Sequence, residues 1–452
     1  MTNTNKGQNV CGLKPEDFQT SINGKETELY ILRNQQGNEV AITNYGGALV
    51  AIMVPDRDGK LANVIQGHDN IQDVIHSPEP YLSTLIGRYG NRIARGKFQL
   101  HGKEYQLPIN NGPNSLHGGK KGFNAKVWDA LQMNENTVVL NYISAYGEEG
   151  FSGEVKVTVI YTFTDNNELV IDYMAKTNKK TVINLTSHGF FSLTGIANPT
   201  PTIENLQCEI NADYYLPIDE VSIPTGEIRL VENTPFDFRK PKPIGQDIEA
   251  DHEQIRHGAG YDHCFVLNKK EEGELSFAAR IVEPTTGRTM EVFTTEPGVQ
   301  LYTDNWADGY KGQNGATFPR RSGICFEAQH FPDSPNRPYF PSVVLNPGEQ
   351  YKITHMENSQ RKSGSIVAII TMMFLYAMIS FVTNLAAPIG IIWKAAFQGD
   401  SANTVGMLGN AMNFLAYLFM GIPAGMMITK YGYKKTALVA LALGFIGIVI
   451  QY

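Results

Sequence analysis

The stretches EVKVTVIYTFT (154–164) and ELVIDYMAK (168–176) decide the fold class of this chain. Apolar side chains occupy every second position of both stretches, which is the period of a β-strand with one buried face. These positions are Val155, Val157, Val159, Tyr161, Phe163, Leu169, Ile171, Tyr173 and Ala175. The three residues DNN lie between the stretches and predict a tight turn, so we expect a β-hairpin.

The same pattern extends through most of the chain. Asn23-Gly24 and Asp58-Gly59 predict further hairpin turns, as does the QQGN at 35–38. Additional strands are predicted at 137–144, 260–267, 289–304, 322–329 and 343–354. No stretch before residue 363 has a long helical period, and no short repeat of fixed length recurs. We therefore predict an all-β sandwich or barrel rather than a propeller.

Composition excludes several classes of protein. The 452 residues include 38 basic and 45 acidic side chains, and the net charge of −7 argues against nucleic-acid binding. Four cysteines lie far apart, which argues against a disulfide framework or a Cys-rich zinc site. They are Cys11, Cys208, Cys264 and Cys325. The N-terminus lacks the apolar run of a signal peptide, so we expect the first domain to be cytoplasmic.

The end of the chain has a different composition. Residues 363–393, 401–429 and 436–452 carry no charged side chain, and runs of about 20 apolar residues are typical of membrane spans. We predict two or three spans in a tail at 364–452, after a β domain at 1–355 and a linker at 356–363.

Basic residues around these runs predict the orientation of the tail. They precede the first run and separate the second from the third, which predicts a cytoplasmic β domain. These residues are Arg361, Lys362, Lys430, Lys434 and Lys435, whereas only Lys394 lies between the first two runs. The segments TNLAAPIGIIWK (383–394) and GIPAGMMITKYGYKK (421–435) resemble the first spans of major facilitator superfamily sugar transporters. Such transporters have about twelve spans, so we do not expect this chain to transport anything by itself.

Polar clusters interrupt the predicted strands and carry the candidate site residues. Glu327 lies inside an apolar strand, where a carboxylate is costly unless it is paired or used. The other candidates are Asn91, Arg92, His117, His188, Asp262 and Gln300. Each of them also has an ordinary structural explanation, such as a surface ion pair or a hydrogen bond within a loop.

Several familiar chemistries do not fit these residues. The sequence has no HExxH, CxxC, GxSxG or Walker motif. The acidic stretch 247–260, with His252 and His257, lacks metal-ligand spacing and is expected to be a solvated loop. A glycosidase pair of Glu327 and Asp262 would leave two histidines unexplained.

Seven segments together resemble the aldose 1-epimerase, or galactose mutarotase, family from about residue 18 to 354. In order they are NYGGALV, GRYGNRIARGKF, NSLHGGKKGF, TSHGFFSLTG, YDHCF, PGVQLYT and FEAQHFPDSPN. The resemblance implies a large antiparallel β-sandwich with Glu327 as general base and His188 as general acid. It implies that the sugar is held by His117, Asn91, Arg92, Asp262 and Gln300. No redox cofactor or metal is required, while a structural divalent ion such as calcium stays open.

One segment departs from the family pattern. The family often has Asn-His-Ser-Tyr-Phe-Asn around the acid, whereas this chain has Ser187-His188-Gly189-Phe190-Phe191-Ser192. The lost amides and hydroxyl are expected to change the surroundings of His188, and with them the rate or the sugar preference.

The resemblance implies an enzyme that interconverts α- and β-hexoses, such as those of galactose and glucose. A base removes the proton of the C1 hydroxyl, and an acid protonates the ring oxygen as the ring opens. Three alternatives stay open: a non-catalytic sugar-binding module on a membrane anchor, a hexose-6-phosphate epimerase, and a transporter with an enzymatic extension. The expected partners are a hexose, the membrane through the tail, and a functional link to a sugar transporter, without nucleic acid.

Overall fold

The structure is a computed structural model that describes residues 9–361, with side chains as far as Glu357. The chain divides into two units between Ser363 and Gly364, and the described residues all belong to the first unit. Within them, none of the helices has the length and apolarity needed to cross a membrane. The predicted tail lies outside the described residues, so its spans stay predictions. The predicted linker at 356–363 differs from the structure in part, because a strand that pairs with two neighbours continues to Arg361.

The described residues form thirty β-strands and two short α-helices, α1 Ile71–Ile75 and α2 Glu253–Gly258. In chain order the strands are β1 Thr20–Ile22, β2 Lys25–Thr27, β3 Leu29–Arg33, β4 Glu39–Thr43, β5 Leu49–Pro55, β6 Leu61–Asn63, β7 Leu85–Ile86, β8 Arg92–Ile93, β9 Lys97–Leu100, β10 Lys103–Gln106, β11 Ser115–Leu116, β12 Asp129–Asn134, β13 Thr137–Ser144, β14 Val155–Phe163, β15 Glu168–Thr177, β16 Thr181–Val182, β17 Thr186–Ser187, β18 Gln207–Ile210, β19 Ala212–Tyr215, β20 Arg229–Leu230, β21 Lys242–Pro243, β22 Asp262–Leu267, β23 Ser276–Val282, β24 Arg288–Thr294, β25 Gly298–Tyr302, β26 Asp308–Lys311, β27 Thr317–Pro319, β28 Cys325–Gln329, β29 Val344–Leu345 and β30 Tyr351–Arg361.

The predicted hairpin is the centre of a nine-stranded antiparallel sheet, in the order β12-β13-β14-β15-β30-β24-β23-β18-β21. Strands β14 and β15 pair along their whole length, from Val155 opposite Thr177 to Phe163 opposite Leu169. Every predicted apolar position of the two strands is buried. The period-two pattern therefore identified both the strands and the face that packs against the core.

Two smaller antiparallel sheets complete the core. One has the order β3-β4-β5-β6, and the other has the order β20-β19-β22-β25-β28. A single apolar cluster joins the three sheets, because Ile42, Val157 and Phe265 belong to it although each comes from a different sheet. The architecture is thus a β-sandwich around one core, and its five-stranded sheet carries the candidate site.

Most short-range predictions are confirmed, with three differences. The predicted turn at Asn23-Gly24 has left-handed φ values of 52° and 79°, as a two-residue hairpin turn requires. The predicted strand at 289–304 is instead two strands, β24 and β25, which belong to different sheets. The predicted strand at 343–354 is also two strands, β29 and β30, which again belong to different sheets. The loop predicted around His252 is wrong in part, because Glu253–Gly258 forms helix α2 and buries Ile255.

A buried arginine anchors the segment that leads into the candidate site. Arg88 is only 2% exposed, and its guanidinium donates hydrogen bonds to the carbonyl oxygens of Ser144, Ala145, Ser152 and Gly153. Burial lowers the pKa of Arg88 to about 10, so the side chain stays charged at neutral pH. Arg88 lies in the connection between β7 and β8. Its four charged hydrogen bonds to carbonyl groups hold this connection against the 144–153 segment.

We expect Arg88→Leu to lower the free energy of unfolding by about 3 kcal/mol or more, because it leaves several buried carbonyl groups without a donor. Arg256→Leu is the matched control. Its ion pair with Asp251 is exposed, and such pairs contribute about 0–1 kcal/mol. Urea unfolding followed by tryptophan fluorescence measures both variants. Equal midpoints for the two would contradict the anchoring role.

Candidate active site

The candidate site is built on the last two strands of the five-stranded sheet. Glu327 lies in the middle of β28, directly opposite Gln300 on β25. Gln300 in turn donates a hydrogen bond from Nε2 to Oδ1 of Asp262 at 2.7 Å. Because β22, β25 and β28 are neighbours, residues far apart in the sequence form one polar row across the sheet.

Arg92 closes one end of this row. Its guanidinium lies 3.3 Å from Oδ2 of Asp262, and its Nε donates to Oδ1 of Asn111 at 3.0 Å. The side chains of Arg92 and Asp262 are 12% and 10% exposed, so the pair is largely shielded from water. A shielded pair of this kind holds its geometry better than a surface ion pair does.

Two histidines lie beside the carboxylate of Glu327. Nε2 of His188 is 3.6 Å from Oε1, and Nε2 of His117 is 4.0 Å from Oε2. The imidazole rings meet edge to face, with centroids 5.2 Å apart. All three side chains are at most 7% exposed, so the cluster is buried.

The tautomer of His117 follows from its hydrogen bond to the backbone. The N–H of Asn91 donates to Nδ1 of His117 at 3.1 Å, so this nitrogen carries the lone pair. The proton of the neutral ring is therefore on Nε2, which faces Glu327. Asn91 and His117 both have left-handed backbone, with φ of 62° and 51°, which marks a locally strained pairing of two loops.

Hydrogen bonds hold the backbone of His188, whereas the Nδ1 atom of its ring has no hydrogen-bond partner among the described residues. The His188 N–H donates to the Thr84 carbonyl at 2.9 Å, and its own carbonyl accepts from Ser83 at 3.1 Å. Among the described residues, Nδ1 has no hydrogen-bond partner. Phe190 instead stacks on the imidazole at 4.8 Å. The unpartnered Nδ1 thus lies in the segment that departs from the family pattern, where Phe190 stands in place of Tyr.

Burial dominates the electrostatics of the cluster. It raises the pKa of Glu327 well above its ordinary value, and the negative charge of Asp262 raises it further, against the effect of Arg92. Burial lowers the pKa of His188 to about 4. Burial and the neighbouring His188 and Arg92 lower the pKa of His117 well below its usual range. The carboxylate is therefore a stronger base than usual, and a protonated His188 is a stronger acid.

The same three residues have the composition of a metal site. His117, His188 and Glu327 each offer one ligand atom, and these atoms lie within 4.8 Å of one another. A metal-bound histidine ordinarily donates its second ring N–H to an acceptor. Nδ1 of His117 accepts a hydrogen bond instead, so Nε2 presents a proton to the cluster. The donor set fits proton transfer better than metal binding.

All seven residues predicted from the sequence belong to this arrangement through direct contacts or strand pairing. Sequence reasoning missed Asn111, which positions Arg92, and Tyr81, whose ring lies against His117 with centroids 4.6 Å apart. The sequence signal for Asn111 is its place three residues before the NSLHGGKKGF segment, and that for Tyr81 is its place shortly before the GRYGNR segment.

Comparisons with known proteins identify the family of the chain. The sequence model described as aldose 1-epimerase matches residues 28–355. A galactose mutarotase from Bos taurus is 46% identical over 316 residues, which cover 70% of this chain and 89% of the relative. An aldose 1-epimerase from Escherichia coli K12 is 34% identical over 330 residues, which cover 73% and 94%.

Solved structures show the same fold. The crystal structure of an aldose epimerase homologue from C. elegans has a TM-score of 0.68 at 26% identity, and covers 74% of this chain and 99% of that one. The galactose 1-epimerase of Lactobacillus acidophilus has a TM-score of 0.66 at 29% identity, with coverage of 75% and 96%. The chain therefore belongs to the aldose 1-epimerase family and is an isomerase that interconverts the anomers of aldoses.

Proposed function

We propose that this enzyme acts on free hexoses such as galactose and glucose, with Glu327 as general base and His188 as general acid. The observation that carries the proposal is the buried contact of 3.6 Å between the Glu327 carboxylate and Nε2 of His188. Galactose enters the proposal because it is named in the relatives that are about 45% identical to this chain.

The reaction needs two proton transfers at neighbouring oxygens. The Glu327 carboxylate removes the proton from the C1 hydroxyl while protonated His188 gives its proton to the ring oxygen, and the C1–O5 bond breaks. After rotation of the aldehyde, His188 removes the proton and Glu327 returns one, so that the opposite anomer forms. The raised pKa of Glu327 and the lowered pKa of His188 make the carboxylate a stronger base and the imidazolium a stronger acid. The same shifts make this ionised pair the minor arrangement of the shared proton.

The remaining polar residues are proposed to hold the sugar. His117 presents an Nε2 proton to the cleft, and Gln300 has an Oε1 atom without a partner in the described part of the chain. Asp262 and Arg92 add an acceptor and a donor, while Asn91 holds the His117 ring. Arg92 is the one arginine in this proposed set and is already paired. This supports an uncharged hexose over a phosphorylated one.

Glu327→Gln is expected to lower kcat by about 10²–10⁴-fold, because the amide cannot accept the proton of the C1 hydroxyl. The measurement is polarimetry of freshly dissolved α-D-galactose and α-D-glucose, with circular dichroism to verify the fold. Cys208→Ser is a control away from the cleft, on β18 of the nine-stranded sheet. A folded Glu327→Gln enzyme with wild-type kcat would exclude this residue as the base.

The pH dependence of kcat/KM is expected to be bell-shaped, because the active state has one proton shared between Glu327 and His188. Activity falls below a pKa of about 4, where both groups are protonated, and it falls above the raised pKa of Glu327, where both are deprotonated. Asp262→Asn removes a negative neighbour and is expected to move the basic limb to lower pH. A basic limb at the same pH in both enzymes would contradict this account.

We further propose that the tail at 364–452 anchors the enzyme in a membrane, with the β domain on the cytoplasmic side and near a sugar transporter. The support is in the sequence alone: the uncharged runs at 363–393 and 401–429, and the basic residues around them.

After an alkaline carbonate wash, the full chain is expected to stay in the membrane pellet, because its uncharged runs are long enough to span. A chain that ends at residue 361 is expected in the supernatant. Immunoblotting of both fractions measures the distribution. Full-length protein in the supernatant would contradict the anchor while leaving the enzymatic proposal intact.

A further inference from the structure

Tyr81 lies against both histidines of the site. Its ring meets the His117 imidazole edge to face, with centroids 4.6 Å apart, and is nearly parallel to the His188 imidazole at 6.4 Å. The tyrosine is half-buried, whereas both histidines are buried. Tyr81 is therefore the partly exposed member of this aromatic group.

The backbone around Tyr81 also supports the acid. The Tyr81 carbonyl accepts hydrogen bonds from the N–H and hydroxyl of Thr84. The Thr84 carbonyl in turn accepts the N–H of His188 at 2.9 Å. A carboxylate oxygen of Glu79 accepts the Tyr81 N–H at 3.0 Å and caps the turn. The position of Tyr81 is thus linked through one residue to the position of His188.

The Tyr81 hydroxyl accepts one hydrogen bond, and its own proton is free to be donated to a ligand. Nδ2 of Asn110 donates to the hydroxyl oxygen at 3.1 Å, and the same amide bonds to the carbonyl of Leu116, next to His117. Burial raises the pKa of Tyr81 to about 12, so the hydroxyl is protonated at neutral pH. Within residues 9–357, no hydrogen-bond acceptor for that proton is present.

We propose that Tyr81 is a substrate-contacting residue of the site: its hydroxyl donates a hydrogen bond to one hydroxyl of the bound hexose, and its ring holds the two imidazoles at their distances from Glu327. The inference rests on the proposed function, because it assigns a binding role at the same site. It adds to that function a specificity contact outside the polar row of the five-stranded sheet.

The test separates the hydroxyl from the ring. Tyr81→Phe keeps the ring and is expected to raise KM for galactose about three- to tenfold, with kcat within about twofold, as for the loss of one neutral hydrogen bond. Tyr45→Phe is the matched control, since Tyr45 is also half-buried but packs in the separate apolar cluster around Phe18. It is expected to leave KM and kcat unchanged.

Deoxy sugars identify the contact. The same KM measurement is made with 2-, 3-, 4- and 6-deoxygalactose. For the one analogue that lacks the contacted hydroxyl, Tyr81→Phe is expected to cause no further rise in KM, whereas the other three show the full effect. A wild-type KM in Tyr81→Phe, or an equal rise with galactose and all four analogues, would overturn the proposed hydrogen bond.

The ring is tested with Tyr81→Leu, which is expected to lower kcat at least tenfold and to change the pH profile, because the imidazoles lose their packing partner. A folded Tyr81→Leu enzyme with the kcat and pH profile of Tyr81→Phe would overturn the role of the ring. Failure of the wild-type enzyme to accelerate mutarotation of any of these sugars would instead refute the proposed function itself.

Discussion

The burial of one carboxylate, that of Glu327, is the constraint on which the site depends. A carboxylate at the centre of an antiparallel sheet loses its hydration, and the fold must supply partners or accept a raised pKa. Here the nearest partners are two imidazoles at 3.6 and 4.0 Å, neither within a normal hydrogen-bond distance. No tight ion pair therefore holds the carboxylate, and its raised pKa makes the ionised form a stronger base, as the proposed proton transfers need.

Two charged neighbours of that carboxylate, Asp262 and Arg92, shift its pKa in opposite directions. Asp262 raises the pKa of Glu327, whereas Arg92 lowers it, and the two are paired with each other at 3.3 Å. The pair therefore acts as a nearly neutral unit that offers both a donor and an acceptor. Arg88 lies in the same chain segment as Arg92. Its hydrogen bonds hold this segment against residues 144–153. The segment 88–92 therefore contains both a residue that stabilises the fold, Arg88, and a residue of the candidate site, Arg92.

Local patterns predicted the strands and most of the site residues. The alternation in 154–164 and 168–176 identified the central hairpin, because side chains alternate between the faces of a strand regardless of what lies further away. Glu327 was conspicuous as a carboxylate in an apolar strand, and seven segments in order pointed to the family. The errors at 289–304, at 343–354 and around His252 arose because tertiary partners decide where a strand ends or changes sheet and whether a short polar segment becomes a helix.

Residue order and type are enough to predict the all-β class, the chemical types at the site and the long uncharged runs within the tail. Only the tertiary structure decided the distances in the cluster, the Nε2 tautomer of His117, the stacking of Phe190 on His188 and the place of Tyr81. The physical reason is that alternation and residue type are local properties. Distances, tautomers and pKa shifts instead depend on groups from β8, β22, β25 and β28 and on the histidines that follow β11 and β17, which meet only in the folded chain.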